Sequence, residues 1–256
     1  MVTLRLSDVE VTLGRRSVLR GIDAQFEAGA LIGIVGPNGA GKSTLARAML
    51  ALLPARGCIE IDGADLATMT RRDLARRIAY LPQGQSLHWP LTVERLVELG
   101  RLPHLAPMSR VGAADREAVE RAMARADVLD LRHRDATELS GGERARALLA
   151  RALAVEAPAL IADEPLASLD PGHQIDVMEL LRAEAAAGAL VIAVLHDLTM
   201  AARYCDRLLI VDEGRIAADG PPAAVLTPAL LRAVYGVEAS VETGGAWPTV
   251  TILGRG

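Results

Sequence analysis

The sequence of 256 residues predicts an α/β fold with a mainly parallel sheet, an N-terminal antiparallel β subdomain and an inserted α-helical subdomain. Apolar and polar residues alternate over residues 2–26, which is the pattern of half-buried antiparallel strands. Over residues 158–256, short apolar runs alternate with helical segments, an order typical of a parallel sheet. Residues 84–157 carry helical periodicity without strand signals. We therefore expect a single domain, 1–256, whose α/β core comprises 1–83 and 158–256.

Turn and capping signals place the individual elements within this outline. Before the helical segment, the pattern predicts a strand–turn–helix over residues 31–53, which Pro54 ends. A strand over 57–61, a basic helix over 71–77 and a strand over 78–81 are expected to follow. Within the helical segment it predicts helices over residues 92–100, 113–131 and 144–155. After it, we expect strands over 159–162, 189–195 and 208–211, helices over 171–187 and 198–205, and hairpin turns at 212–214 and 244–245.

Charge and hydropathy exclude several functional classes. The formal net charge is −4 at pH 7, so the chain as a whole does not attract nucleic acid, and we expect no nucleic-acid partner. The alternating, charged N-terminus is not the pattern of a signal peptide. The longest apolar run, residues 185–195, is shorter than the roughly 20 residues that a membrane-spanning helix needs. We therefore expect a cytoplasmic protein, and a partner would have to supply any membrane spans.

Residues 31–44, LIGIVGPNGAGKST, have the pattern of a phosphate-binding loop. An apolar strand leads into a Gly-x-x-x-x-Gly-Lys-Ser sequence with P-loop spacing, and a helical pattern follows. Glycines let backbone N–H groups approach phosphate oxygens, and a helix N-terminus favours the same negative charge. In such loops the lysine contacts the phosphates and the serine hydroxyl can ligate Mg²⁺. The residues expected to bind nucleotide are Gly36, Pro37, Asn38, Gly39, Ala40, Gly41, Lys42, Ser43 and Thr44.

Lysine usage singles out one residue of this loop. Of the 28 basic side chains, all except Lys42 are arginine. Arginine is planar and forked, whereas lysine is a compact ammonium on a flexible stem, so the two do not substitute for each other in a tight phosphate cradle. The composition therefore indicates that Lys42 is functional.

A second motif ends the apolar strand ALIA with two carboxylates, Asp163 and Glu164. Parallel sheets bind ligands at the carboxyl ends of their strands, so both side chains are expected at a ligand edge. In P-loop enzymes such an aspartate holds Mg²⁺, and a neighbouring residue orients or deprotonates water. We expect Asp163 to contribute to a metal site and Glu164 to act on water.

A third motif, Leu139-Ser140-Gly141-Gly142-Glu143, precedes a helical run. Ser140 and Glu143 have the spacing of a capping box. The two glycines leave more backbone open than a cap requires, and a hydroxyl, bare amides and a helix N-terminus together can bind an anion. Ser140, Gly141, Gly142 and Glu143 are therefore candidate nucleotide-binding residues.

In order and spacing, these motifs together with Asp170 and His196 resemble the ATP-binding cassette (ABC) ATPases over essentially the whole chain. The resemblance implies a P-loop NTPase core that uses ATP and Mg²⁺. It implies that Gln83 contacts Mg²⁺ and senses a membrane partner, that Asp163 is the second metal ligand and that Glu164 is the general base.

The same resemblance implies roles at an interface between two copies of the chain. His196 would lie near the γ-phosphate, and Asp170 would cross the interface of a homodimer. The loop around Ser140 in one copy would cover the nucleotide held by Lys42 in the other. Two nucleotides would then join a head-to-tail pair, and hydrolysis would release it.

Two finer similarities point to a group of importers within this family. Residues 89–93 and 99–104, WPLTV and LGRLPH, are similar to the segment that follows the loop glutamine in iron-siderophore, haem and cobalamin importers, as are 226–228 and 234–237 near the C-terminus. This implies an ATPase subunit that drives uptake of an iron chelate or cobalamin through a transmembrane permease docked on residues 84–110. An extracytoplasmic substrate-binding protein would complete the system, with this chain peripheral on the cytoplasmic face of the inner (cell) membrane.

Three positions depart from the family pattern. Leu13 stands where most relatives carry an aromatic ring that stacks on adenine, so we expect weaker base affinity or selectivity. Ala145 replaces a common glutamine after the signature glycines, and Leu166 replaces a small polar residue after the Glu-Pro pair. None of the three removes a residue assigned to hydrolysis.

Two other functions stay open at this point. The first is an ABC ATPase for another cargo, such as a metal ion, an amino acid or a lipid. The second is a soluble ABC ATPase that acts on DNA or ribosomes. The acidic charge and the absence of heptads between Lys42 and Ser140 disfavour the second. The sequence does not identify the cargo, because the ATPase subunit is not expected to touch it.

Overall fold

Strands and helices alternate along the chain, and the computed structural model describes residues 2–84, 87, 89–106, 108–245 and 247–256. In chain order the elements are β1 (Thr3–Leu13), β2 (Arg16–Glu27), β3 (Leu31–Val35), α1 (Lys42–Ala48), β4 (Arg56–Ile61), β5 (Ala64–Asp65), α2 (Arg71–Arg77), β6 (Ile78–Leu81), α3 (Val93–Glu98), α4 (Ala113–Arg125), α5 (Gly141–Leu153), β7 (Ala159–Asp163), α6 (Pro171–Ala186), β8 (Leu190–Val194), α7 (Leu198–Tyr204), β9 (Arg207–Asp212), β10 (Arg215–Gly220), α8 (Pro222–Val225), α9 (Pro228–Tyr235), β11 (Val237–Glu242) and β12 (Thr249–Arg255).

A mainly parallel sheet lies at the centre, with strand order β10-β9-β3-β8-β7-β6. Its neighbours pair in parallel except β9 and β10, which form the hairpin predicted at residues 212–214. Every residue of β3, β7 and β8 is buried, as expected for a parallel sheet covered on both faces. The carboxyl ends of these three strands therefore meet at one edge, where the motifs follow.

The N-terminal strands form a separate antiparallel sheet in the order β2-β1-β4-β5. Phe26 and Leu19 of this sheet, Leu45 and Met49 of the first helical region, and Ile34 of the central sheet share one hydrophobic core. This core fixes the P-loop helix α1 between the two sheets. The predicted α/β core with its antiparallel β subdomain is confirmed.

Between Gln83 and Pro158, the described elements are helical, and α3, α4 and α5 pack on one another through Val97, Met123 and Leu149. Arg101 is buried there and donates to the carboxylates of Asp115 and Glu156 and to the backbone oxygen of Ala154. These bonds fix the chain after α3 against α4 and α5.

The segment 84–110, predicted to dock a permease, is partly described. Residues 85, 86, 88 and 107 lie outside the described residues. Within the segment, the Nε2 atom of His104 lies 2.8 Å from the backbone oxygen of Val155, so this histidine has a structural contact. No helix in the described ranges is long and apolar enough to cross a membrane.

Two predicted helices are shorter than expected. The helix after the P-loop ends at Ala48, before Pro54, because Ala51 adopts a left-handed conformation with φ 50°. The predicted helix over 113–131 ends at Arg125, since Asp127 has φ 52°, and a separate 3-10 turn follows at Leu129–Leu131. In both places a single left-handed residue reverses the chain, which apolar periodicity does not reveal.

Candidate functional site

The P-loop leaves β3 through a glycine that no other residue could replace. Gly36 has φ 152°, and a Cβ atom on it would lie 2.0 Å from the backbone oxygen of Val211 in β9. The loop therefore passes directly against the neighbouring strand. Gly41 has φ 111° and caps α1, whose first residue is Lys42. The local backbone thus agrees with the predicted phosphate cradle.

Lys42 is 5% exposed, and its ammonium group donates to the backbone oxygens of Gly36 (2.7 Å) and Pro37 (3.0 Å). Burial lowers the pKa of Lys42, while the carboxylates of Glu164 and Asp163 oppose that shift. The side chain is therefore folded over its own loop beside two carboxylates, in a space that suits a compact ammonium.

Asp163 is fully buried at the end of β7 and is bonded to the P-loop. The hydroxyl of Ser43 donates to its Oδ1 atom over 2.8 Å, and the phenol of Tyr80 lies 3.4 Å from its Oδ2 atom. Burial and the Asp163 carboxylate raise the pKa of Tyr80. Tyr80 was not predicted; its signal was its place on β6, the strand that pairs with β7.

The donor set fits Mg²⁺. The hydroxyl of Ser43 and the carboxylate of Asp163 are hard oxygen ligands that already lie within hydrogen-bond distance of each other. Mg²⁺ in phosphate-transfer sites is commonly held by one or two protein oxygens together with substrate phosphates and water. Ser43 lies at the start of the P-loop helix and Asp163 at the end of β7, so both are next to the loop that would hold those phosphates.

Residues from three separate segments of the chain, Gln83, Glu164 and His196, meet at the Glu164 carboxylate. The φ of Glu164 is 54°, a left-handed conformation directly after the last residue of β7. The amide of Gln83 donates to Oε2 (2.5 Å), and Nε2 of His196 lies 2.5 Å from Oε1. The sequence predicted all three residues for hydrolysis, and the structure places them in direct contact.

A cavity of about 330 Å³ borders the P-loop. Lys42, Ser43 and Thr44 line one side of it, and Glu164 and His196 line another. The end of β1 and the start of β2 also line it, through Leu13, Arg16 and Val18. Leu13, the residue that departs from the family pattern, therefore lines the same cavity as the P-loop.

The signature loop, Ser140–Glu143, begins α5 with the predicted capping box. Ser140 Oγ accepts from the backbone N–H of Glu143, and Glu143 Oε2 accepts from the backbone N–H of Ser140. The bond from the backbone N–H of Ser140 lowers the pKa of the Glu143 carboxyl. Gly142 is buried because the imidazole ring of His173 packs against it, a contact that sequence reasoning missed. Ser140 and Gly141 are exposed.

Within one chain the signature loop and the P-loop border different cavities. Gly141 lines a second cavity of about 290 Å³ with Ser168 and Glu164. Among the described residues that line the P-loop cavity, none belongs to Ser140–Glu143. Asp170 is likewise exposed, at the start of α6, where it accepts from the backbone N–H of His173 (3.1 Å). A single copy therefore leaves these predicted nucleotide-binding residues apart from Lys42.

Comparisons with known proteins agree with the motifs. The model of the ABC transporter family matches residues 19–167. The chain is 45% identical over 254 residues to the cobalamin import ATP-binding protein BtuD of Halobacterium salinarum, covering 98% of this chain and 63% of the relative. It is 44% identical over 245 residues to the hemin import ATP-binding protein HmuV of Pseudomonas entomophila, covering 93% of this chain and 94% of the relative.

A solved structure, the dimeric form of a bacterial ABC transporter cassette, shares the fold. It superposes with a TM-score of 0.74 at 26% identity, covering 86% of this chain and 98% of the cassette. The chain spans 63% of the length of the first curated relative. The family model covers more than half of the chain, and the fold, the P-loop and the signature loop are those of the same family. The chain belongs to the ABC transporter family.

Proposed function

We propose that this chain is the ATP-binding and ATP-hydrolysing subunit of an ABC importer. One observation carries the proposal: Glu164, Gln83 and His196 are in contact at the edge of a cavity that also contains Lys42 and Ser43. A carboxylate held between an amide and an imidazole beside a phosphate cradle is the arrangement needed to activate water against a phosphate.

The phosphate chain of ATP binds to Gly36–Thr44. Backbone N–H groups and the N-terminus of α1 attract the phosphate oxygens, and Lys42 exchanges its two carbonyl contacts for them. Ser43 and Asp163, with Gln83, would hold Mg²⁺, which would offset the negative charge of the phosphates when bound. Tyr80 orients Asp163.

Glu164 is the general base. Its two carboxylate oxygens are oriented by different partners, Gln83 and His196, so the carboxylate cannot rotate freely. It accepts the proton of the attacking water, while His196, at the exposed edge of the cavity, contacts the terminal phosphate. Because Gln83 precedes the segment 84–110, a displacement of that segment would change the contact to Glu164.

A second copy of the chain completes the site. Ser140, Gly141 and Asp170 are exposed and lie outside the P-loop cavity of their own chain, so they are available to a partner. In a head-to-tail homodimer, the signature loop of one copy covers the nucleotide on the other. A solved cassette of the same fold is dimeric, which supports a dimer of this chain.

The permease docks on the helical subdomain, 84–157, through residues 84–110. Large apolar side chains are exposed there, namely Trp89, Leu99, Leu102 and Met108. Exposed apolar groups of this size mark interaction surfaces. With a transmembrane permease and an extracytoplasmic binding protein, the chain would act as a peripheral subunit on the cytoplasmic face of the cell membrane.

The cargo proposed is an iron chelate, such as haem or a siderophore, or cobalamin. The two curated relatives are named for cobalamin and hemin import. Another cargo is the second candidate, because the ATPase subunit is not expected to touch the cargo. The acidic net charge argues against a DNA or ribosome substrate.

Uptake by cells that lack this gene tests the function and the cargo together. Labelled cyanocobalamin, hemin and a ferric siderophore are supplied in turn, and cells are complemented with the unmutated chain or with Glu164→Gln. We expect the unmutated chain, and not the variant, to restore uptake of one of the three. Restoration by Glu164→Gln would contradict hydrolysis-driven import, and restoration of none by the unmutated chain would contradict the proposed cargo.

A further inference from the structure

His173 contacts both Asp170 and the signature loop, which lie at the same dimer interface in the proposed function. It is the third residue of α6, and Asp170 is the N-cap residue of that helix. The signature loop begins a different helix, α5. In the described part of the chain, the imidazole of His173 therefore lies between the aspartate and the signature glycines.

The first contact is to Asp170. Nδ1 of His173 lies 2.7 Å from Oδ2 of Asp170, while the backbone N–H of His173 donates to Oδ1 over 3.1 Å. The backbone bond alone completes a normal helix cap. The ring bond is additional, and it occupies the second carboxylate oxygen, so the carboxylate plane cannot rotate. With a carboxylate as its partner, Nδ1 carries the proton.

The second contact is to Gly142. A Cβ atom on Gly142 would lie 2.1 Å from Cδ2, 2.4 Å from Cγ and 2.4 Å from Nε2 of His173. The ring thus occupies the space that any other side chain at position 142 would need. At Gly141 the nearest atom to such a Cβ would be the backbone oxygen of Ser168 at 3.8 Å. The requirement for glycine at 142 therefore comes from His173.

We propose that His173 is a positioning residue that holds the Asp170 carboxylate and the signature loop in a fixed relation, so that both meet the second copy together. This inference rests on the proposed function, because the fixed relation affects ATP hydrolysis only if two copies of the chain form the dimer. The ring performs two separable tasks: Nδ1 orients Asp170, and the ring face supports Gly142.

Two substitutions separate the tasks. His173→Asn retains an N–H donor near the position of Nδ1 but removes the ring from Gly142. His173→Leu retains apolar bulk beside Gly142 but removes the donor. ATP turnover at saturating ATP and ATP affinity are measured on the purified full chain. His133→Leu, a substitution of an exposed histidine outside the site, is the matched control.

We expect His173→Leu to lower kcat by about tenfold to a hundredfold, the range for losing one hydrogen bond to a charged group. ATP affinity stays within about twofold because the P-loop is untouched. His173→Asn should recover most of the lost kcat. Full activity in His173→Leu, or equal losses in kcat for Leu and Asn, would overturn the proposal.

A double-mutant cycle tests the contact with Gly142 without any activity. Gly142→Ala should lower the Tm in the unmutated background and lower it much less in the His173→Asn background, where the ring is absent. Gly141→Ala should not lower the Tm in either background. Additive Tm changes for Gly142→Ala and His173→Asn would overturn the packing role. If the unmutated chain shows no ATP turnover, the proposed function and the positioning role are both overturned. If the unmutated chain and His173→Leu are equally active, only the positioning role is overturned.

Discussion

Nε2 of His196 lies 2.5 Å from Oε1 of Glu164, and this contact joins the ends of two neighbouring parallel strands, β8 and β7. The two residues are 32 positions apart in sequence (196 − 164). They meet because parallel strands deliver their following residues to the same edge of the sheet. Both side chains line the P-loop cavity, and the imidazole of His196 is the more exposed of the two, at 45% against 14% for Glu164.

Replacing His196 by alanine should therefore slow hydrolysis without weakening ATP binding. The variant loses both a partner of Glu164 and a group at the terminal phosphate, so we expect kcat to fall by about a hundredfold. ATP affinity, measured with a fluorescent nucleotide, should change little because the P-loop contacts remain. His133→Ala is the control, and unchanged turnover in His196→Ala would contradict the assignment.

Lys42→Arg should lose ATP affinity although the charge is retained. The Lys42 ammonium occupies a 5% exposed position with two backbone oxygens around it, and a planar guanidinium cannot reproduce that geometry. We expect Kd to rise by about tenfold or more. Arg56→Lys, an exchange at an exposed position, serves as the control, and equal ATP affinity in Lys42→Arg would contradict the cradle argument.

Leu13→Tyr should strengthen nucleotide binding. Leu13 is 43% exposed and lines the P-loop cavity, and an aromatic ring there could stack on the base, a contact worth about 1–3 kcal/mol. The affinities for ATP and GTP are compared in the unmutated chain and in the variant. Leu52→Tyr, at a position with 48% exposure outside this cavity, is the matched control. A strong preference for ATP in the unmutated chain would mean that another residue reads the base.

Asp115→Asn should destabilise the helical subdomain in a pH-dependent way. The backbone N–H of Gly112 and the guanidinium of Arg101 lower the pKa of Asp115 below its usual value of 3.8. Because the folded-state pKa is lowered, the stabilisation is present above pH 3.8 and is lost as pH falls through the folded-state pKa.

At neutral pH we expect the free energy of unfolding of Asp115→Asn to be lower by about 1 kcal/mol, and the difference from the unmutated chain to shrink in acid. Denaturant titrations at several pH values measure it. Asp130→Asn, the same substitution at an exposed residue, is the matched control. A difference in Asp115→Asn that stays constant from neutral to acid pH would exclude the carboxylate as its source.

Most of the fold, and the residues that meet at the candidate site, could be predicted from local patterns. The P-loop, the Asp163–Glu164 pair and the capping box around Ser140 are short segments whose backbone conformation depends on nearby residues. The alternation of apolar runs with helical segments predicts a parallel sheet, and it therefore also predicts that the carboxyl ends of the strands share one edge of that sheet. The helix ends that were wrong, at Ala48 and Arg125, were decided by single left-handed residues.

The sequence by itself determined which chemical groups are present and that parallel strands bring Lys42, Asp163 and Glu164 to one edge. Only the tertiary structure decided the partners of those groups. Tyr80 reaches Asp163 from the adjacent strand, and the ring of His173 fills the space beside Gly142. Such contacts join residues far apart in the chain, and neither periodicity nor spacing encodes them. They arise when two elements pack against each other, because a close-packed interior has space for only one side chain at each point of contact.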